Sequence, residues 1–322
     1  MAVARNEAAC SLPSRTIALF RRQFAGAAVF SSESAPKKKK AQKHSQIGCI
    51  ITILVLIPVF YGLYLYFQQS ETLPSFPDKT VKIPTTSIRR PIPTAEELTI
   101  PRMIIPRKEQ IIHHTGYSVS YNENLRLPNW VAYELTRQET QGNAKRTDRF
   151  ITDPSVKGII ATNADYARSG YDKGHMAPAA DMKWSNTAMK ESFYFSNMCP
   201  QHPELNRRKW KDLEEKIRDW AITDSAIIII CGPIIEKTPQ KIGKNKVTVP
   251  QKFFKVILSP FTTSPKAIGF LFKNGRSVSP LATYAVSVDS IETLTGMDFF
   301  APLPDDLENK IESQVNCDQW GL

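Results

Sequence analysis

Residues 169–179 read SGYDKGHMAPA, and residues 196–214 read SNMCPQHPELNRRKWKDLE. The first stretch is a tight, shaped turn, because Gly170, Gly174 and Pro178 punctuate it within nine residues. His175 sits in that turn beside the charged pair Asp172 and Lys173. The second stretch opens a helix. Leu205, Trp210, Leu213, Ile217 and Trp220 recur at three- and four-residue intervals, which predicts a helix over 203–222. Asn206 stands near its start and Glu214 stands eight residues on. At about 100° per residue the two are about 80° apart, so both can face one site.

Outward from these stretches, the chain alternates between strand and helix signals without a regular βαβ rhythm. Residues 117–121 and 129–135 read as strands. Residues 225–231 form an apolar run that reads as a buried strand ended by Gly232-Pro233. Residues 247–258 and 266–272 are further strand candidates, and 289–295 reads as a short helix ended by Gly296. The expected class is α+β, with a mixed or antiparallel central sheet flanked by helices.

The chain has five histidines, at 44, 113, 114, 175 and 202. His44 lies in a lysine tract, and His113 and His114 follow a proline-rich stretch. His175 and His202 are left for acid–base work near neutral pH. The Asn206 carbonyl and the Glu214 carboxylate are hard oxygen donors that suit Mg²⁺, with Mn²⁺ as its substitute. Arg207, Arg208, Lys209 and Lys211 crowd the helix start, where they either attract phosphates or form a solvated face. Cys199 and His202 have a spacing that can hint at zinc, but no second pair stands nearby. The sequence has no P-loop, no dinucleotide fingerprint and no HExxH motif. Five widely spaced cysteines make no disulfide framework. A single pairing of Cys199 with Cys231 stays open.

Taken in order, the motifs resemble those of the DNA/RNA non-specific endonuclease family of the ββα-metal superfamily. Asp172-Lys173-Gly174-His175 stands for D-R-G-H. Ser196-Asn197-Met198-Cys199-Pro200-Gln201 stands for S-N-x-x-P-Q, and 205–214 stands for L-N-x-x-x-W-x-x-L-E. Residues 162–166 and 249–256 also resemble family segments, and the match runs over about 115–305. The resemblance implies a ββα-metal fold and one-metal hydrolysis of phosphodiester bonds in DNA and RNA, giving 5′-phosphate ends. His175 would be the general base and Asn206 the metal ligand. Glu214 would hold metal-bound waters, Asn197 would support the site, and Arg146 (or Arg149) would face a phosphate. The family's D-R-G-H arginine is Lys173 here. The cation survives, but the planar fork is lost. That departure keeps a second reading open, a catalytically weak or inactive nucleic-acid-binding protein of the same fold. A scaffold module is a third, against which the three ordered motifs argue. Dimers occur in the family, so the resemblance leaves room for a homodimer.

Toward the N-terminus the chain changes character. Residues 1–46 form a basic tail, either cytoplasmic or a leader. Residues 47–67, IGCIITILVLIPVFYGLYLYF, carry no charge. Their length fits the ~20 apolar residues of a spanning helix. Lys37, Lys38, Lys39, Lys40 and Lys43 precede the run, and the positive-inside rule then places the N-terminus in the cytoplasm. The domain would lie outside it, in a periplasm or at a cell surface, or alternatively in the mitochondrial intermembrane space. Residues 68–110 hold seven prolines and read as an extended linker, with a globular domain over 111–322. The chain's net charge is +11, of which +9 falls before Lys108. The domain is nearly neutral, so charge alone does not argue that it binds nucleic acid.

Overall fold

The computed structural model describes residues 92–322. The basic tail, the apolar run 47–67 and the first part of the linker lie outside the described residues. Among the described residues, no helix is long and apolar enough to cross a membrane.

The linker reading fails from Pro93 onward. A helix, α1 (Ala95–Leu98), is closed by a capping box between Thr94 and Glu97, and Leu98 is fully buried. A short strand, β1 (Arg102–Met103), pairs with Met297–Asp298 near the C-terminal end. Pro93 and Pro101 flank these elements without interrupting them, so the prolines set their borders.

Six more strands precede the central helix or follow it closely: β2 (Gln110–His113), β3 (Ser118–Asn122), β4 (Leu127–Thr136), β5 (Asp172–His175), β6 (Met198–Gln201) and β7 (Ala226–Ile234). Beyond them come β8 (Lys241–Ile242), β9 (Val247–Thr248), β10 (Lys252–Ser259), β11 (Lys266–Lys273), β12 (Ala285–Val286) and β13 (Met297–Asp298). Seven of these strands form one sheet in the order β12-β11-β10-β7-β4-β3-β2, and each neighbouring pair is antiparallel. The expected mixed or antiparallel sheet is therefore fully antiparallel.

Alternation along the central strands builds two cores. Val131, Tyr133 and Leu135 of β4 and Ile227, Ile229 and Cys231 of β7 face one side. Trp130, Ala132, Ile228 and Ile230 face the other. Both faces are covered, and so β7 reads as unbroken isoleucine instead of alternating with polar residues. The strand also runs through Gly232-Pro233, where the sequence suggested a stop. Pairing with β4 ends at Cys231, and Pro233 pairs only with Phe253 of β10. A residue with no N–H is tolerated where one flank is open.

The first face carries the hairpin β5–β6 and the helix α4 (Trp210–Asp224). Two shorter helices, α2 (Asn163–Tyr166) and α3 (Asn186–Glu191), lie in the connections around that hairpin. The second face is covered by α5 (Val288–Thr295) and α6 (Asp305–Glu312). Gly296 ends α5 in the left-handed region at φ +65°, as the sequence predicts.

Cys199 and Cys231 are both buried free thiols, which closes the pairing left open by the sequence. One lies in the hairpin and the other in the main sheet, where its Sγ donates to the Met176 carbonyl at 3.2 Å.

Candidate active site

The hairpin brings Asp172 opposite Gln201 and His175 opposite Met198. Gly174 is required there. A Cβ at that position would lie 2.2 Å from the Gln201 side chain. From β6 the chain turns through a π-helical segment, Leu205–Lys209, directly into α4. Strand, strand and helix thus close around one cleft of about 430 Å³. Its lining includes Arg146, Phe150, Asp172, Lys173, His175, Asn206, Lys211, Glu214 and Arg218.

The π segment changes the geometry assumed from the sequence. Steps of 100° do not hold across Leu205–Lys209, yet Asn206 and Glu214 both reach the cleft. Wide turns of this kind are frequent at functional sites. Here Asn206 is held by its amide nitrogen, which donates to Asp172 Oδ2 at 2.9 Å. Asp172 is held in turn by Arg207, at 2.8 and 2.7 Å in a two-pronged pair. Burial alone would raise the Asp172 carboxyl, but Arg207 and Asn206 outweigh it and keep it below the usual carboxylate range. With its nitrogen engaged, Asn206 keeps its carbonyl oxygen for a ligand.

His175 is gripped by aromatic rings. Phe150 and Phe193 lie with ring centroids at 5.5 and 5.0 Å, the second edge-on. The His175 carbonyl accepts from Trp210 Nε1 at 3.2 Å, tying the hairpin to α4. The ring's Nε2 is buried without a partner, which leaves Nδ1 as the nitrogen with access to the cleft. Burial, then the charge of Arg146, lowers the imidazole to about 3, and Lys173 adds to the effect. The ring is therefore neutral at physiological pH.

The same aromatics hold the two cations. Lys173 Nζ lies 4.3 Å from the Phe150 ring centre and donates to Asn163 Oδ1 at 3.0 Å. The Arg146 guanidinium lies 5.0 Å from the Phe193 ring centre and pairs with Asp148. Arg149, the other candidate for that role, is not among the residues lining the cleft.

Asn197 does not line the cleft. It is fully buried and clamps the backbone that follows His175. Its Oδ1 accepts from the Ala177 N–H at 2.9 Å, and its Nδ2 donates to the Ala177 and Ser192 carbonyls, both at 2.8 Å. Its contribution is to position the turn. His202 is similarly structural, its Nδ1 accepting from the Glu204 N–H at 3.2 Å.

Beneath the cleft lies a charged layer that the sequence did not reveal. Asp181, fully buried, accepts from Arg218 at 2.8 Å and from the Tyr133 hydroxyl at 2.9 Å. Lys255 is fully buried on β10 with its Nζ 4.4 Å from the Trp210 ring centre. Burial pushes the Glu214 carboxyl up to about 7, while Lys255 and Arg218 oppose that rise and Asp181 adds to it. Arg218 could have been found four residues after Glu214, one helical turn on. No local pattern marks Asp181 or Tyr133.

A family model described as DNA/RNA non-specific endonuclease matches residues 95–306. The chain belongs to that family. Mitochondrial nuclease EXOG of Mus musculus is 33% identical over 234 residues, 67% of this chain and 64% of its own length. A nuclease of Nostoc sp. is 33% identical over 212 residues, 62% of this chain and 76% of its own. Mitochondrial endonuclease G of Bos taurus is 34% identical over 210 residues, 61% of this chain and 70% of its own. This chain therefore spans less than two thirds of the mouse relative. Among solved structures, a chain of the EndoG/EndoGI complex superposes with a TM-score of 0.58 at 30% identity, covering 62% of this chain and 89% of that one. The match to the endonuclease family starts at residue 95, the first residue of α1.

Proposed function

We propose that the chain hydrolyses phosphodiester bonds of DNA and RNA without sequence preference. The observation that carries this reading is a neutral, partner-free imidazole set in one cleft with an oxygen donor and four cations, Arg146, Lys173, Lys211 and Arg218. His175 Nδ1 would accept a proton from the attacking water. At about 3 it is a weak base alone, but a bound anionic phosphodiester would offset Arg146 and Lys173 and raise it. Arg146, Lys173 and Lys211 would grip backbone phosphates, which carry no sequence information.

The residues present fit a hard divalent cation, Mg²⁺ or Mn²⁺. Asn206 offers a carbonyl oxygen whose neighbouring nitrogen is already engaged, and Glu214 adds a carboxylate at the same cleft. When bound, such an ion supplies Lewis-acid stabilisation of charge on the phosphate and the leaving oxygen. Asp172 holds Asn206 toward it, and Glu214 would orient the waters around it. Products would carry 5′-phosphate and 3′-hydroxyl ends.

Lys173 keeps a cation at the cleft, so the departure from the family motif changes the shape of the phosphate contact without removing its charge. The mitochondrial names of several relatives favour a mitochondrial setting. An anchor at 47–67 would then hold the domain in the intermembrane space.

Labelled DNA and RNA strands incubated with the full chain and Mg²⁺ test the reading. Fragments of many lengths whose 5′ ends a ligase can join are expected. Cleavage of one polymer only, or ends that need prior phosphorylation, would overturn the corresponding part.

A further inference from the structure

On the face of the sheet away from the cleft, α5 and α6 carry three carboxylates toward one point. Asp289 and Glu292 lie one turn apart on α5, and Glu312 is the last residue of α6. One oxygen from each lies within 4.8 Å of the others. Asp289 is exposed, Glu292 is half-buried, and Glu312 is only 3% exposed. The Oε1 atom of Glu312 is buried and has no hydrogen-bond partner. Proximity of acids is common on surfaces. A carboxylate removed from water and left unpartnered is not, because its desolvation is uncompensated.

The surroundings deepen the imbalance. Glu308 and Asp298 add negative charge to the same neighbourhood. Arg102, a cation on this side, is engaged by Asp298. One Glu292 oxygen accepts from the Phe299 N–H at 2.7 Å, which fixes that side chain in place. Burial, then the charge of Glu292, pushes the Glu312 carboxyl up to about 10. Such a cluster needs a cation or a proton to close it.

We propose that Asp289, Glu292 and Glu312 form a binding site for a hard divalent cation, Ca²⁺ before Mg²⁺, which ties α5 to α6. All the donors are carboxylate oxygens, as Ca²⁺ and Mg²⁺ prefer. Three carboxylates from two separate helices suit the flexible coordination of Ca²⁺ better than the near-ideal octahedron of Mg²⁺. The exposed Asp289 edge leaves room for waters to complete the shell. The site lies across the sheet from the nuclease cleft and is independent of the proposed reaction.

The test uses the full chain stripped with EDTA, in an Asn206→Ala background that removes the oxygen donor of the cleft. CaCl₂ is titrated by calorimetry, and unfolding temperature is read with and without it. One saturable site and a raised unfolding temperature are expected. Adding Glu312→Gln should weaken binding by at least about ten-fold, and adding Asp289→Asn by several-fold. Metal-free Glu312→Gln protein should unfold no earlier than its parent, since a neutral amide replaces a carboxyl that must hold its proton among neighbouring acids. If that variant does not fold, Asp289→Asn, at an exposed position, decides alone. Binding of neither Ca²⁺ nor Mg²⁺ in the Asn206→Ala background overturns the proposal, as does unchanged binding in the carboxylate variants. So does a cluster closed by a proton, seen as unfolding that depends on pH between about 6 and 9 but not on CaCl₂.

Discussion

Charge is buried on both faces of the central sheet, but the faces balance it differently. Beneath the cleft, fully buried Asp181 is matched by Arg218 and Tyr133, and Glu214 has Lys255 and Arg218 in its field. On the far face, Glu312 is buried with an unpartnered oxygen among four further acids. The cleft side pairs much of its buried charge within the chain, although Lys255 Nζ, the Gln201 side-chain amide and His175 Nε2 are buried there without a hydrogen-bond partner. The His175 ring and the Asn206 oxygen are the groups that a substrate and an ion would engage there. The difference is one of sign: the unpartnered Lys255 ammonium beneath the cleft stands among carboxylates that offset it, whereas the Glu312 carboxyl on the far face stands among further acids.

The largest effect should come from the cleft. Replacing His175 with Ala is expected to lower kcat/KM by about 10²–10⁴-fold, the usual worth of a general base. The unfolding temperature at neutral pH should fall, because the ring packed against Phe150 and Phe193 is lost, but the variant should remain folded. Retained activity would break the assignment of His175.

Next comes the buried layer. The Glu214 carboxylate is expected to be needed in its charged form, so activity should rise as pH passes through about 7. Lys255 opposes the upward shift of Glu214, so Lys255→Met should move that limb to higher pH and cost roughly ten-fold at pH 7. A pH profile of kcat/KM checks this, and an unmoved limb would separate Lys255 from the site.

A stability prediction follows from His175. Its folded value, about 3, lies below its ordinary 6.5, so burial of the neutral ring contributes stability above about pH 6.5. That contribution is lost as pH falls toward 3. The His175→Ala variant should therefore lose less stability than wild type between about pH 6.5 and 4 in urea unfolding. Parallel curves would count against the burial of the ring.

Smaller effects should follow from Lys173 and Arg102. Lys173→Arg restores a planar fork and is expected to raise kcat/KM about three-fold, whereas Lys173→Met should lower it about ten-fold. Arg102→Ala removes a mostly exposed ion pair with Asp298 on the far side, so it should cost at most about 1 kcal/mol and leave cleavage untouched. A loss of cleavage in that variant would show that the two faces are coupled.

How much of this was legible in the sequence depended on how local the cause was. The apolar period of 205–220, the isoleucine run of β7 and the glycine stop of α5 are local patterns, and the structure has them where the sequence put them. The π segment was not legible, because the periodicity of Leu205 and Trp210 fits an ordinary helix equally well. Passage of β7 through Pro233 depends on where β4 stops pairing, which is tertiary information. The placement of His175, Lys173, Asn206 and Glu214 at one cleft followed from motif order. The engagement of Asp172 with Asn206, and of Asp181 with Arg218 and Tyr133, joins residues 34 to 48 positions apart and left no trace in spacing.

The most direct test is cleavage of supercoiled plasmid by the full chain, in Mg²⁺ or in EDTA, beside the His175→Ala variant. Nicking that requires metal and is lost in the variant is the expected result. Folded wild-type protein that binds DNA but cuts nothing in Mg²⁺ or Mn²⁺ would contradict it.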